Sequence, residues 1–388
     1  MSDVRDFRRE RAAIAEAALR RVGGDHAEVA RILDGMTGGF SPALHAATIA
    51  LLPRAVATAF GGPSFASRVS VTGDLARLRE LASRSTLILA PTHSSNLDSI
   101  VLGLVLGQAG MPPFAYAAGK HIFRNRLFAM AMRRLGAYCL DPDRRDRLYL
   151  RVVNVYVNEL VARGYHTVVF PSGTRCRSGE VERAVKLGLL GAAVHVSHPV
   201  TIVPVTINYQ VVLEAESLIG YYLAGRSHER IVGDELFVWG RLRDTAHKLA
   251  SLDQRVAITF GDPIDPRASD GSWRSRVIDE LTTAYRRDTV FFATHVVARA
   301  LHDLGETELE IDRVHAAIDA TCARIAAHPE AGRLWHDRAA PGELLDAALH
   351  AWASWHRTPP AVRRATGLSI ASRELLLFYR NRTAHVPA

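Results

Sequence analysis

Cysteine is scarce and long apolar runs are missing, and each shortage removes a class of protein. The three cysteines, Cys139, Cys176 and Cys322, lie far apart, and none belongs to a CxxC pair. Neither a disulfide framework nor a zinc knuckle is suggested, and a reducing compartment is expected. No stretch reaches the roughly 18 apolar residues of a membrane-spanning helix. Residues 46–60, AATIALLPRAVATAF, come nearest, but Pro53 and Arg54 interrupt them. The N-terminal stretch carries arginines and acids in place of an apolar signal core, so no secretion signal is expected. There is no internal repeat and no low-complexity tract. The aromatic residues are not interleaved with the basic runs, as a base-stacking surface requires, so nucleic acid is not an expected partner.

What is present is an ordinary globular composition. The 388 residues are 48% hydrophobic and 23% charged, which leaves room for a large core and one or two domains. The net charge of +8 comes mostly from arginine, in runs such as RRERAA and DPDRRDR. Such runs are either a solvated surface or a face for anionic partners, lipid headgroups and phosphate esters among them.

Three regions follow from the pattern. Residues 1–65 read as helices, with Phe7, Ala12 or Ile14, and Ala18 or Leu19 at roughly helical spacing. Residues 66–270 alternate short β-rich runs with helix-length segments such as 97–109 and 145–163. The strand candidates are 86–91, 114–119, 136–141, 166–171, 200–208, 235–240 and 255–261. This predicts a mixed α/β fold with a largely buried sheet flanked by helices. Residues 271–388 read as an all-helical C-terminal part.

Within the α/β region, PTHSSNLDSI (91–100) places five polar residue types between two apolar runs. Ser95-x-x-Asp98 before an apolar run fits a capping box, which alone would explain both residues. The other reading pairs His93 with Asp98. Residues five apart on an ideal helix sit roughly 140° apart around its axis, so the two meet only if His93 lies before the helix. Pro91 ends the strand, and a helix starting at Ser95 or Asn96 leaves His93 on the turn. That turn falls at the carboxyl end of a strand, where α/β folds bind ligands. A carboxylate there would fix the imidazole tautomer and stabilise the imidazolium formed when the ring takes a proton.

A second constellation is FPSGTRCRSG (170–179), with Lys186 downstream. Arg175 and Arg177 lie two apart on an extended loop and project to the same side. Guanidinium groups suit phosphate oxygens, and the flanking glycines allow close backbone approach. The plainer reading is a surface loop with two solvated arginines.

Four blocks in order carry a resemblance. His93-Ser-Ser-Asn-Leu-Asp98 resembles the H-x4-D motif of the glycerolipid acyltransferases, and FPSGTRCRSG resembles their arginine motif. GKHIFRNRLFAMAMRRLGAY (119–138) resembles their second motif and VPVTINY (203–209) their fourth. NYQVVLEAESL (208–218), RVAITFGDPI (255–264), VFFATHVVARAL (290–301) and the tail LLLFYRNRTAHV (375–386) are similar to the glycerol-3-phosphate and dihydroxyacetone-phosphate acyltransferase branch.

The resemblance implies roles for particular residues. His93 is the general base and Asp98 its orienting partner. Arg175 and Arg177, assisted by Lys186, hold the acceptor's phosphate; Gly173 and Thr174 shape their loop, and Pro204 belongs to the acyl-donor side. The implied reaction moves a fatty acyl group from acyl-CoA or acyl carrier protein to glycerol 3-phosphate, with a lyso-lipid such as lysophosphatidate as the alternative acceptor. No metal, cofactor or covalent acyl-enzyme is implied. The implied location is cytoplasmic, peripheral on the inner face of an anionic membrane.

The chain also departs from the family pattern. Ser172 stands where the third motif usually carries a glutamate tied to acceptor binding. The second motif is one residue longer between Gly119 and Phe123, and Arg126, Arg133 and Arg134 all compete for its arginine. His195 and His198 have a ligand-like spacing, but they lie at an expected helix end before Pro199. Cys176 replaces a common serine, and no base is evident beside it.

Overall fold

The computed structural model describes residues 7–59, 68–123, 125–226, 231, 254–267, 273–336, 338–365 and 367–387. The apolar run TLILAP becomes strand β2 (Thr86–Pro91), buried at every position. A strand covered on both faces reads as a continuous apolar run, not as an alternating one. It sits at the centre of a seven-stranded sheet with β1 (Val69–Thr72), β3 (Ala115–Gly119), β4 (Ala137–Leu140), β5 (Thr167–Val168), β6 (Val200–Tyr209) and β7 (Val256–Phe260). The order is β1-β7-β6-β2-β5-β3-β4. Strands β2 to β6 are mutually parallel where they pair. β7 runs antiparallel to β6, and β1 is parallel to β7. The carboxyl ends of the five parallel strands therefore share one edge, and the loops leaving that edge meet.

Strand alternation divides the core. Leu87 and Leu89 point into one apolar cluster, with helix α5 (Asp98–Gln108) and much of the C-terminal region. Ile88 and Ala90 point into the other, with α1 (Phe7–Val22), α2 (His26–Met36) and α7 (Arg147–Ala162). α7 shows how such a helix is specified. Asp146 caps its N-terminus by accepting from the Tyr149 amide, and Val152, Val153, Tyr156, Val157, Leu160 and Val161 form its buried face. The N-terminal region also holds α3 (Pro42–Ala59), and α4 (Leu75–Arg84) precedes β2.

Beyond the sheet, α6 (Arg126–Arg134), α8 (Leu187–Val194) and α9 (Ala215–Leu223) complete the central region. The C-terminal region comprises α10 (Trp273–Arg287), α11 (Ala293–Leu304), α12 (Ile311–Ala327), α13 (Pro341–Trp355) and α14 (Arg373–Asn381). Its core includes Trp352, which is fully buried.

Three expectations need correction. The C-terminal part is mainly but not wholly helical: β8 (Val290–Phe291) pairs with β10 (Arg333–Leu334), and β9 (Glu308–Leu309), β11 (Ala361–Arg364) and β12 (Gly367–Ile370) form a small antiparallel sheet. Runs of two to four residues are too short for any periodicity to register. The strand expected over 166–171 shrinks to Thr167–Val168, because the chain turns at the arginine loop. β1, half exposed, was not expected. The candidate at 235–240 lies outside the described residues.

Candidate active site

The turn after β2 is held from both sides. The Thr92 amide donates to the Val205 carbonyl at 2.9 Å, and the Thr92 hydroxyl accepts from the Ile207 amide at 2.9 Å, so β6 fixes the turn's start. The regular helix α5 begins at Asp98, later than the Ser95 or Asn96 start expected, but the bonds of the expected capping box are made. The Ser95 hydroxyl accepts from the Leu97 amide at 3.2 Å, and the Asp98 side chain reaches back to the Ser95 amide. Asp98 Oδ2 accepts from the Ser94 amide at 2.8 Å, the Ser95 amide at 3.0 Å and His93 Nδ1 at 2.8 Å. Its Oδ1 accepts from the Tyr209 hydroxyl at 2.8 Å.

Asp98 is fully buried, whereas the His93 side chain is 22% exposed. Four donors satisfy the oxygens of the buried Asp98 side chain. Burial first, and the adjacent Asp98 second, push the Tyr209 phenol well above its ordinary pKa, so it remains a donor. With Nδ1 committed to Asp98, Nε2 is the nitrogen available for proton transfer. The Phe170 ring, 4.3 Å from the imidazole between centroids, limits the ring's orientation.

The arginine loop is bonded directly to this turn. The Cys176 amide donates to the His93 carbonyl at 2.7 Å. Arg175 is largely buried and lies 3.6 Å from Glu214, which in turn accepts from the Ser95 hydroxyl at 2.9 Å and the Asn96 amide at 2.8 Å. Arg177 donates to the Arg226 carbonyl and lies over the Tyr221 ring, 5.7 Å from its centroid. The Lys186 amide closes the loop by donating to the Pro171 carbonyl at 2.8 Å. Lys186 Nζ lies 3.8 Å from where a Cβ on Gly173 would sit. Gly173 and Thr174 are exposed at the tip. Three basic side chains thus belong to a loop joined to the histidine turn.

Residues that the sequence did not single out enclose the site. The Glu182 carboxylate accepts from the His93 amide at 2.5 Å, and burial lifts its pKa to about 7. Ser172 is its neighbour; a carboxylate thus lies beside the position where the motif's own glutamate is missing. Arg382, from the C-terminal segment, donates to the Ser94 hydroxyl at 3.1 Å. Tyr209, Glu214 and Arg382 lie inside blocks already noted in the sequence, but nothing local marks them for the site; Glu182 carries no local signal at all.

The remaining candidates are placed as follows. Pro204 lies within β6 opposite Ala90, and its carbonyl accepts from the Gly261 amide at 2.9 Å. Arg133 is occupied in tying α6 to the N-terminal region through the Thr37 and Gly35 carbonyls, at 2.6 and 2.7 Å. Arg126 is exposed at the start of α6, and Arg134 is half-buried at its end. His198 Nε2 bonds the Thr86 hydroxyl at 2.5 Å, and the His195 ring packs edge-on to Trp273. Among the described residues no group of three or more His, Cys, Asp or Glu is placed to hold a metal ion. Burial pushes the Cys176 thiol up, which disfavours a thiolate there.

A mostly parallel sheet thus presents a His–Asp pair at the carboxyl end of β2 and basic side chains on the loop after β5. Residues 69–208 match the family model described as Acyltransferase. The glycerol-3-phosphate acyltransferase of Pseudomonas aeruginosa (strain LESB58) is 26% identical over 235 residues, 58% of this chain and 26% of that protein. That of Ectopseudomonas mendocina is 29% identical over 240 residues, 58% of this chain and 28% of that protein. The chain therefore spans about a quarter of the length of these curated relatives. A crystal structure of the 1-acyl-sn-glycerophosphate (LPA) acyltransferase from Thermotoga maritima is 19% identical with a TM-score of 0.36, covering 71% of this chain and 90% of that one. The likeness to acyltransferases thus centres on residues 69–208.

Proposed function

We propose that the protein transfers a fatty acyl group from a thioester, acyl-CoA or acyl carrier protein, to the hydroxyl of glycerol 3-phosphate. The observation that carries this reading is the His93 Nδ1–Asp98 Oδ2 hydrogen bond of 2.8 Å on a turn bonded to the arginine loop. In this reading His93 Nε2 accepts the proton of the acceptor hydroxyl as its oxygen attacks the thioester carbonyl. Asp98 stabilises the imidazolium. The tetrahedral intermediate collapses, the C–S bond breaks, and the imidazolium returns its proton to the leaving sulfur. The products are the ester and the free thiol, and no acyl group is held on the protein. Arg177 and Lys186, with Arg175 behind them on Glu214, supply the positive field for the acceptor's phosphate.

The acceptor is the less constrained half of the reading. Ser172, in place of a glutamate, favours keeping lysophosphatidate as a second candidate. Thiol release by the purified protein, measured with each donor and with glycerol 3-phosphate or lysophosphatidate, separates the two. No release with any acceptor, or an unchanged rate in H93A, would sink the reading.

Peripheral attachment to an anionic membrane fits the surface near the same edge. No described helix is long and apolar enough to cross a membrane. α3 and α6 lie against each other and expose Leu51, Leu127 and Met130, with Arg126 on the same stretch. Co-sedimentation with anionic vesicles, weakened by salt and by L127D/M130D, tests it; equal binding to neutral vesicles would count against it.

A further inference from the structure

We propose that Arg382 is a positioning residue for the His93–Asp98 pair. The C-terminal segment inserts its guanidinium beside the catalytic turn, where it holds Ser94 and supplies the buried positive charge that lets a carboxylate sit next to a neutral imidazole. The proposal rests on the reading of His93 as the general base.

Geometry carries the first half. Arg382 is only 4% exposed, and its Nη2 donates to the Ser94 hydroxyl at 3.1 Å. Ser94 is the residue between His93 and the rest of the turn, and its amide is one of the donors to Asp98. The segment is fixed on both sides of the arginine. Asn381 Nδ2 donates to the Ser178 carbonyl of the arginine loop at 2.8 Å, and Arg299 reaches the Thr383 carbonyl at 3.4 Å. Gly179 packs so close to the α14 backbone that a Cβ there would lie 2.1 Å from the Phe378 carbonyl oxygen. The tail thus grips both loops that form the site.

Charge balance carries the second half. Three acids are enclosed around the turn: Asp98, Glu182 and Glu214. Glu214 has Arg175 at 3.6 Å. Arg382 is the cation whose field acts on Asp98 and Glu182, and on the Cys176 thiol. Tyr209 stays a neutral donor. On its other side Arg382 faces His295 and His385, both held below their ordinary pKa chiefly by burial, so neither competes as a cation. Burial lowers the Arg382 pKa as well, but a guanidinium keeps its proton across the working pH range. A general base must be neutral to act. A buried carboxylate draws a proton onto its histidine partner, and a buried cation opposes that draw.

The test is the pH dependence of kcat/KM by thiol release, in the full chain, for wild type, H93A, R382Q, R382K and E182Q. R382Q is expected to lower kcat at least roughly tenfold and to move the acid limb to higher pH by roughly half a unit or more. R382K keeps the charge, so its limb stays within about 0.3 unit of wild type even if kcat falls with the lost hydrogen bond. E182Q keeps an acceptor for the His93 amide; because Glu182 is largely protonated below about pH 7, E182Q leaves an acid limb in that range close to that of wild type. If R382Q alone does not fold, the charge is read in the E182Q background, where the acid that R382Q would leave unbalanced above about pH 7 is absent as well; E182Q/R382Q must still protonate at higher pH than E182Q. An R382Q limb that coincides with that of wild type, or a double variant that coincides with E182Q, overturns the proposal and reduces Arg382 to packing. Turnover in H93A overturns instead the base assignment beneath it.

Discussion

Replacing Asp98 by asparagine and by alanine separates the two tasks its carboxylate performs. Asp98 accepts from two backbone amides, one phenol and one imidazole. Alanine leaves the Ser94 and Ser95 amides and the Tyr209 hydroxyl buried without their acceptor. At about 1–3 kcal/mol for each orphaned group, D98A loses about 3–6 kcal/mol even if water enters the gap. That is a large share of the roughly 5–15 kcal/mol that holds a domain folded.

Asparagine keeps one oxygen for the two amides and His93 Nδ1, and its amide nitrogen can donate to the Tyr209 oxygen once that hydroxyl rotates. D98N should therefore lose only about 1–2 kcal/mol of stability. Its catalytic loss is larger. At the 2.8 Å separation of His93 and Asp98, a full charge in an effective dielectric near 20 is worth at most about 6 kcal/mol. Allowing for the neutral hydrogen bond that remains, kcat/KM should fall about 10²–10³-fold. Urea unfolding and thiol-release kinetics on both variants read the two terms. Equal stability of D98A and D98N to within about 1 kcal/mol would refute the four-donor hub. A loss below tenfold in D98N would refute the assignment of Asp98 to the base.

Other outcomes follow from the same geometry. Glu182 titrates at about 7 when folded, against about 4.3 in an unfolded chain, so the folded state holds the proton more tightly and stability falls as pH rises between those values, by roughly 2–4 kcal/mol. Unfolding midpoints at pH 5 and pH 8 should show that decline in wild type and a flatter response in E182Q; parallel curves would contradict it. Gly179 has φ +83° and the Phe378 carbonyl against it, so G179A should destabilise by more than about 2 kcal/mol and abolish turnover. Gly173 has φ +72° but no atom within 3.8 Å of the added carbon, so G173A should cost only about 1 kcal/mol; similar melting temperatures for the two would be inconsistent. R177A should raise KM for glycerol 3-phosphate at least about tenfold with little change in kcat, and an unchanged KM would remove Arg177 from phosphate binding. W352A opens a cavity in the C-terminal core and should cost about 3–5 kcal/mol by urea unfolding; a loss under 1 kcal/mol would mean that the helices repack around it.

Which parts were legible in the sequence follows from distance along the chain. β2 was readable because a strand buried on both faces leaves a continuous apolar run, and β6 because it is rich in Val, Ile and Thr. The approach of His93 to Asp98 was readable because five residues across a turn admit few geometries. The direction of the arginine loop was readable once the strands were taken as parallel. The capping box was readable too: the Ser95 hydroxyl accepts from the Leu97 amide and Asp98 accepts from the Ser95 amide. Its further partner was not. The Ser95 hydroxyl also donates to Glu214, and local pattern could not foresee that, because Glu214 arrives from beyond another strand's end. The short C-terminal strands escaped for the opposite reason: two to four residues hold no period, and only their pairing defines them.

Glu182 and Arg382 mark where local reading stops. Arg382 lies in a tail block that the sequence marks and Glu182 in none, but what makes either consequential is enclosure by segments far from it; Arg382 meets Ser94 across 288 positions of chain. Enclosed charges are expensive when alone and tolerable when balanced. The turn buries Asp98 completely and sets Glu182 against the amide of the same histidine, so above about pH 7 it encloses two acids. Solvent reaches the His93 ring but not these carboxylates, and so it does not supply the compensation. The compensation has to come from a cation that folding itself delivers. The C-terminal region does this through α14, which packs against α11 and α9 and carries Arg382 just past its end. The helical tail is therefore bound to the chemistry of the edge it covers. A lesion that only loosens it, such as W352A, should disturb the pH profile before it unfolds the sheet.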